Sequence, residues 1–447
     1  MAIFQTTLRR LPRPNKSLCP PPTPIPTPTL HLQRRLMIAP SWQFGSLVAK
    51  IRLYSTARSR SEPRTFPSQG FDTVSNDCLI EEEGMPEYKP EHFYPARLGE
   101  VLNGKFQTVA KLGYGSSSTI WLARDLQGHQ YVALKIYIHN SAQHRELPFY
   151  AHLEEVMPRK HVGAGHIRHL LDSFEVAGPH GKHITLVLQV SQMSLRDMDT
   201  VFRKGQGFDE GFVKGAIKEL LQAVDFLHTE VQAVHTDIHP GNLLLGLNDN
   251  SLFKKLEDTE FSNPVPRKEL SDRTVYFSRL MRPNVGPLLL SDFGEIRLGP
   301  GPHAGDIMPL MYRAPETLLR IQWSYPVDIW SVGLTAWDLL EGRTLFSARK
   351  EDGSFSDGAH FSELIAALGP PPVQLLDRHR ERALEYWDEN GNWGEFVPIP
   401  TEKTLEAAEI KLKDHAQFLR FIRRALNWDP YERPTAKELL QDPWLEE

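Results

Sequence analysis

The sequence predicts an α+β fold, with strands gathered early in the chain and helices after them. Two observations carry this. Three runs, residues 106–112, 119–123 and 131–137, are rich in β-branched, aromatic and aliphatic residues and follow one another closely, as strands do. Further on, Phe212, Ile217, Leu220, Leu221, Val224 and Leu227 recur at helical spacing within residues 209–230. At 447 residues, 40% hydrophobic and 24% charged, the chain can bury a sizeable core without disulfide or metal support.

Composition removes several function classes. Two cysteines, Cys19 and Cys78, exclude a disulfide scaffold and a Cys-rich zinc module, and favour a reducing, intracellular compartment. No run of about 18 apolar residues exists to span a membrane. The net charge of −5 hides an asymmetry. Residues 1–61 hold ten of the 51 Lys and Arg and none of the 56 Asp and Glu, a charge of +10. The other 41 basic and 56 acidic residues give the remainder −15.

Residues 1–61 form a basic, Pro-rich leader. Eight prolines between Pro12 and Pro28 exclude a packed helix or central strand there. An acid-free, Arg-bearing start is the composition of a mitochondrial transit peptide, and Arg52-Leu53-Tyr54-Ser55 resembles a presequence cleavage site. The competing reading is a solvated basic tail touching nucleic acid or anionic lipid, with the protein in cytoplasm and nucleus. The proline run counts against the amphipathic helix that targeting needs. Residues 62–94 turn acidic at Glu81, Glu82 and Glu83 and read as a linker whose charges face solvent.

Gly113-Tyr114-Gly115-Ser116-Ser117-Ser118 joins the first two strands. In a dinucleotide-binding fold such glycines lead into a helix; between strands they make a hairpin that can offer backbone N–H groups to nucleotide phosphates. Lys135 lies among apolar neighbours on the third strand, where an unpaired ammonium is costly. A phosphate and a carboxylate partner resolve that cost; the alternative is a lysine that snorkels to the surface. The 209–230 helix leads into Val234-His235-Thr236-Asp237-Ile238-His239-Pro240-Gly241-Asn242, and Leu290-Ser291-Asp292-Phe293-Gly294 comes later. Phosphoryl transfer needs a carboxylate to orient the attacking hydroxyl and oxygen ligands to hold Mg²⁺. Asp237, Asn242 and Asp292 supply one base, one amide ligand and one carboxylate ligand.

In this order the motifs resemble those of eukaryotic protein kinases, and of the SR-protein kinases in a divergent fungal form, over about residues 86–445. Pro86-Glu87-Tyr88-Lys89-Pro90 and Leu98-Gly99-Glu100-Val101-Leu102-Asn103-Gly104 resemble that family's opening segment, and Ser118 stands at its third glycine position. Ala314-Pro315-Glu316, Asp328-Ile329-Trp330-Ser331-Val332-Gly333, Arg433 and Pro443-Trp444-Leu445 match its later motifs. The resemblance implies a bilobal protein-kinase-like fold over residues 95–447. A small β-rich N-lobe would cover about 95–190, a larger helical C-lobe about 191–447, with an insertion at about 248–287. It implies ATP and Mg²⁺, with Leu112, Gly113 through Ser118, Ile120, Ala133 and Lys135 around the nucleotide. It makes Leu188 the gatekeeper and gives Gln189 and Ser191 hinge backbone for adenine. It pairs Glu316 with Arg433 and makes Asp328 the anchor of the catalytic loop. Its substrates are proteins with Arg/Ser-rich segments; no direct nucleic-acid contact is expected, and a monomer is the default.

Four departures from the family's pattern qualify this. The lysine usual two residues after the catalytic aspartate is His239, whose neutral ring donates one hydrogen bond, so a rate cost is expected. The carboxylate partner of Lys135 is expected to be Glu146, at a helix start just before Pro148, with Glu154 or Glu155 as alternatives. Thr236 stands where regulated kinases have an arginine, and no Ser or Thr lies between Gly294 and Ala314, Tyr312 being the one hydroxyl. An activation segment not switched by Ser/Thr phosphorylation is therefore expected. Fourth, 54 residues separate Asp237 from Asp292, including a polar stretch that reads as a partly ordered surface insertion. The leading reading is an ATP-dependent Ser/Thr protein kinase. A low-activity scaffold and, from the His-Pro-Gly-Asn loop, a small-molecule phosphotransferase remain the alternatives.

Overall fold

A computed structural model of the chain describes residues 60–139, 145–157, 160–247, 249–394 and 397–446. The leader, residues 1–61, lies almost wholly outside the described residues. The three strand-like runs form strands β2 (Phe106–Gly115), β3 (Ser118–Asp125) and β4 (Gln130–Tyr137). With β1 (Val101–Leu102), β5 (Leu170–Ala177) and β6 (Lys182–Leu188) they make one antiparallel sheet ordered β1-β2-β3-β4-β6-β5. Helix α1 (Glu146–Val156) turns Phe149, Tyr150, Leu153 and Val156 into a core shared with the helical lobe. That core runs through Leu186, Leu188, Ile238, Leu290 and Phe293, so the two lobes are joined by continuous packing where the motifs meet.

The helical lobe is built on α3 (Glu210–Phe226), with short α2 (Leu195–Met198) ahead of it. The Asp209 side chain caps α3 by accepting from the Phe212 N–H, and Ile217, Leu220, Leu221 and Val224 are buried as their spacing requires. Two short strand pairs frame the catalytic loop: β7 (Ala233–Val234) with β12 (Arg297–Leu298), and β8 (Leu243–Leu245) with β11 (Leu288–Leu290). Beneath them α5 (Pro315–Leu318) and α6 (Pro326–Glu341) are almost wholly buried, and α6 stops at Gly342 with φ of 72°.

Two expectations need correction here. The 248–287 stretch is built of α4 (Ser251–Ser262) and a hairpin of β9 (Arg267–Glu269) and β10 (Thr274–Tyr276). It returns to the N-lobe sheet: Phe253, Leu256 and Met281 pack with Val109, Ala110 and Leu122, while Val265 and Tyr276 pack with Trp121, Leu134 and Val187. These apolar residues are spaced too irregularly to announce a buried face in sequence. The acidic run likewise does not face solvent. Residues Glu81–Gly84 form a 3-10 turn in which Glu82 pairs with Lys111, Glu83 sits 2.9 Å from Lys268, and Glu81 accepts from the Ser278 N–H and hydroxyl. Basic partners distant in sequence draw these carboxylates inward, which no local pattern reveals.

Candidate active site

Lys135 sits midway along β4, its Nζ 2.9 Å from Glu146 Oε2 and 2.9 Å from Asp292 Oδ1. Burial alone would lower its pKa, but the two carboxylates, Asp292 foremost, reverse this and hold the ammonium well above its ordinary value. Glu146 opens α1 with Pro148 in the first turn, where the missing proline N–H costs nothing. Its other oxygen, Oε1, accepts from the Phe293 N–H at 2.9 Å, while the Tyr137 hydroxyl donates to Oε2 beside Lys135. Glu154 and Glu155 are exposed and touch none of this. Phe293 stacks on Phe149 with ring centres 4.3 Å apart, which fixes the backbone that carries Asp292.

Asp237 and Asn242 face each other across the catalytic loop. Asn242 Nδ2 donates to the Asp237 carbonyl at 2.8 Å and to its carboxylate at 2.9 Å. Burial, then the Asp292 charge, pushes the Asp237 pKa up to about 7, against a smaller opposing effect from the Asn242 hydrogen bond. Asp292 is itself pulled below the usual carboxylate range: burial would raise it, and Lys135 prevails. Both Thr236 and Asp292 take left-handed backbone, φ of 69° and 62°, a conformation that costs energy in residues other than glycine. Asp328 offsets part of that cost by accepting from the His235 N–H at 2.8 Å and the Thr236 N–H at 2.9 Å. His239 lies with Nε2 3.6 Å from Asp237 Oδ1, and burial together with Arg196 pushes its pKa down to about 3. The ring is therefore neutral.

Above these groups the β2–β3 hairpin closes through Ser116 and Ser117, with Tyr114 exposed and Ser118 buried. Neither Gly113 nor Gly115 has positive φ, and a Cβ at either would meet nothing within 4 Å. The protein itself therefore does not demand glycine at either position. Ala133 pairs with Leu188 across β4 and β6 and Ile120 packs against the same core, while Leu112 packs against the cluster on the other side of β2. At the hinge, the Ser191 N–H makes no hydrogen bond among the described residues, whereas the Gln189 carbonyl already accepts from Arg168 Nε at 3.0 Å. Gln189 thus has one lone pair left for a ligand.

Mg²⁺ prefers hard oxygen ligands and takes one or two from protein, leaving the rest to phosphate and water. The Asp292 carboxylate and the Asn242 side-chain oxygen fit that donor set. Among the described residues no group of three or more His, Cys, Asp or Glu gathers as a protein-only metal cage. Farther out, Glu316 and Arg433 form a bidentate pair, both bonds 2.7 Å and both side chains fully buried.

A glycine hairpin over a Lys–Glu–Asp triad, with a near-neutral aspartate opposite, defines a phosphotransferase of two lobes. The chain matches the protein kinase domain over residues 106–445, and it belongs to the protein kinase family. It is 40% identical to a serine/threonine protein kinase of Aspergillus fumigatus over 86% of this chain and 95% of that one. It is 27% identical to the serine/threonine-protein kinase SRPK of Physarum polycephalum (82% and 91% covered) and 23% identical to mouse SRSF protein kinase 3 (82% and 90%). A solved kinase domain superposes with a TM-score of 0.62 at 22% identity, covering 79% of this chain and 99% of that one. The chain is a serine/threonine protein kinase with the bilobal kinase fold, and SR-protein kinases are among its relatives.

Three contributors escape the sequence reading. Tyr137 lies two residues after Lys135 on the same face of β4, a spacing that could have suggested it. Arg168 and Arg196 carry no such signal, since their partners lie 21 and 43 residues away.

Proposed function

We propose that this kinase transfers phosphate from ATP to serine in Arg/Ser-rich protein segments, with an activation segment that needs no Ser/Thr phosphorylation. In this reading Asp237 orients the substrate hydroxyl and accepts its proton, and Lys135, fixed by Glu146, grips the nucleotide phosphates. Asn242 and Asp292 hold Mg²⁺, which neutralises phosphate charge when bound. Ser191, with Gln189, takes the adenine edge.

The observation that carries the activation reading is the contact made by Thr236. Its hydroxyl donates to the Glu295 carbonyl at 2.7 Å, and Arg145 pairs with the Glu295 carboxylate at 2.7 Å. The start of the activation segment is thereby tied to the catalytic loop and to the residue before α1 without any phosphate. Tyr312, the one hydroxyl in the segment, is buried and donates to Asp338, which hides it from a second kinase. Phosphatase-treated protein, assayed with Mg-ATP on an Arg/Ser peptide, should keep its full rate; a rate that falls and returns on rephosphorylation overturns the proposal.

The substrate class is supported by the SR-protein kinase relatives and by the −15 carried outside the leader, which attracts basic segments. Arrays of Arg/Ser, acidic and neutral serine peptides test it. The leader supports mitochondrial delivery, in competition with cytoplasm and nucleus. Imaging a fusion of residues 1–65, with and without Arg9, Arg10, Arg34 and Arg35 neutralised, decides between them. Among the described residues no helix is long and apolar enough to cross a membrane.

A further inference from the structure

His239 leaves the catalytic loop without a lysine two residues after Asp237, and the structure brings a cation from elsewhere. Arg196, in α2, lies with Nη2 3.0 Å from His239 Nδ1. The same ring nitrogen accepts from the Gly241 N–H at 3.0 Å. A nitrogen facing two donors carries no proton of its own, so the ring proton sits on Nε2, the atom 3.6 Å from Asp237 Oδ1. The Gly241 N–H and Arg196 together select the tautomer that aims a donor at the reacting end of the loop.

Its position is built. The Ser194 side chain caps α2 by accepting from the Asp197 N–H at 3.1 Å, and Ser194 bridges to Leu244 on β8, the strand that follows the catalytic loop. A Cβ on Gly241 would approach Arg196 Nη1 to 3.1 Å, so the guanidinium lies close against the loop backbone. Among the described residues Arg196 makes no ion pair within 4 Å, and its charge acts on Asp237 and Asp338 from farther off. The charged and titratable groups around the site are Arg196 from α2, His235 and Asp237 from the loop, Asp292 and Glu295 after β11, Tyr312 from the activation segment, and Asp338 from α6.

We propose that Arg196 is a positioning residue for phosphoryl transfer: it fixes His239 with Nε2–H toward Asp237 and supplies the positive field that a lysine at 239 would bring. This rests on Asp237 being the base. In the step itself the substrate oxygen bonds to the γ-phosphorus, the bridging bond to the ADP oxygen breaks, and the hydroxyl proton goes to Asp237. Arg196 exchanges no atom. A cation one ring away strengthens the Nε2–H donor and lowers the energy of negative charge developing beside it.

The test uses the full chain with Mg-ATP and an Arg/Ser peptide, measuring kcat and both KM values. Arg196→Ala should lower kcat by about 10–100-fold, somewhat less than loss of a direct transition-state donor, with KM for ATP little changed. Arg196→Gln, which keeps a hydrogen-bond donor and loses the charge, should recover only part of that kcat. His239→Lys should recover most of the rate when added to Arg196→Ala and add little to the native chain. Unchanged kcat in both Arg196 variants overturns the proposal, as does an equal loss from Arg196→Ala with and without His239→Lys. A wild-type rate that survives Asp237→Asn refutes the base assignment instead.

Discussion

Glu82→Ala should destabilise the fold far more than a surface carboxylate would. Lys111 is 1% exposed, on the bulged part of β2 just before the glycine hairpin. Its ammonium is satisfied by Glu82, by Glu81 at 3.4 Å and by the Tyr276 carbonyl at 3.1 Å. Removing one partner of a buried pair typically costs about 3–5 kcal/mol. Glu81 and Tyr276 remain to satisfy the ammonium, so the cost falls below that range, to about 2 kcal/mol. At about 2–4 °C per kcal/mol for mid-sized domains, that is a fall in Tm of about 4–8 °C, towards the smaller value for a domain this long. Lys111→Met should cost as much, leaving two carboxylates beside each other, while Glu82→Ala with Lys111→Met should cost less than the two changes summed. Thermal and urea melts of the four proteins measure the cycle. A loss below about 0.5 kcal/mol for Glu82→Ala, the range of an exposed ion pair, would return the acidic run to solvent and refute the clamp.

Four further outcomes are expected. kcat/KM should rise with pH through an apparent pKa of about 7, because Asp237 must lose its proton to act as base and burial holds that proton on; a flat profile down to about pH 5 contradicts this assignment. Asp237→Asn should cut kcat by about 10²–10⁴-fold with nucleotide binding retained in a fluorescent-ATP titration. Arg433→Ala should cost about 3–5 kcal/mol in urea melts, since Glu316 would be left charged and fully buried. Thr236→Val, which keeps shape and loses the hydroxyl, should lower activity by several-fold and speed proteolysis within residues 295–313, because the Glu295 carbonyl keeps only its Arg297 donor and loses its tie to the catalytic loop.

What the sequence reveals and what it withholds follows from the range of the forces involved. Strand and helix periods are local, and the glycine hairpin, α3 and the catalytic loop lie where their patterns put them. The chemistry-bearing residues are legible because Asp237, Asn242 and Asp292 sit in short contiguous motifs. Glu146 was readable down to its place at a helix start, through Pro148. Glu82 and Arg196 were not. A carboxylate looks the same in sequence whether it faces water or a buried ammonium, and only the fold brings Lys111 to residue 82 or His239 to residue 196. The burial of the insertion escaped for a related reason: Phe253, Leu256, Val265, Tyr276 and Met281 serve two different core clusters and so obey no single period.

That insertion raises a geometric problem, because it separates the two groups assigned to the metal. The structure resolves it at the stems. Leu243, Leu244 and Leu245 pair in register with Leu290, Leu289 and Leu288, so the chain leaves and re-enters through an antiparallel hairpin. The Ser291 N–H then donates to the Asn242 carbonyl at 3.0 Å, one residue before Asp292. Gln192 clamps the exit by donating to the Gly246 and Asn284 carbonyls at 2.6 and 3.0 Å and accepting from the Asn284 N–H. At Gly286 a Cβ would lie 2.1 Å from the Gly246 carbonyl oxygen, so only glycine lets the two stems approach this closely. Loop-closure entropy grows only logarithmically with length, so a closed stem lets the intervening chain lengthen at small cost. The spacing of Asn242 and Asp292 is thereby set by the stem, and residues beyond it are free to be used against the N-lobe. Gly286→Val should for this reason impair activity more than any single truncation in α4, although Gly286 is far from α1 in sequence and touches no catalytic side chain. An α4 truncation such as Phe253→Ala that lowers kcat more than Gly286→Val, at equal loss of stability, would show that the insertion positions the metal ligands directly.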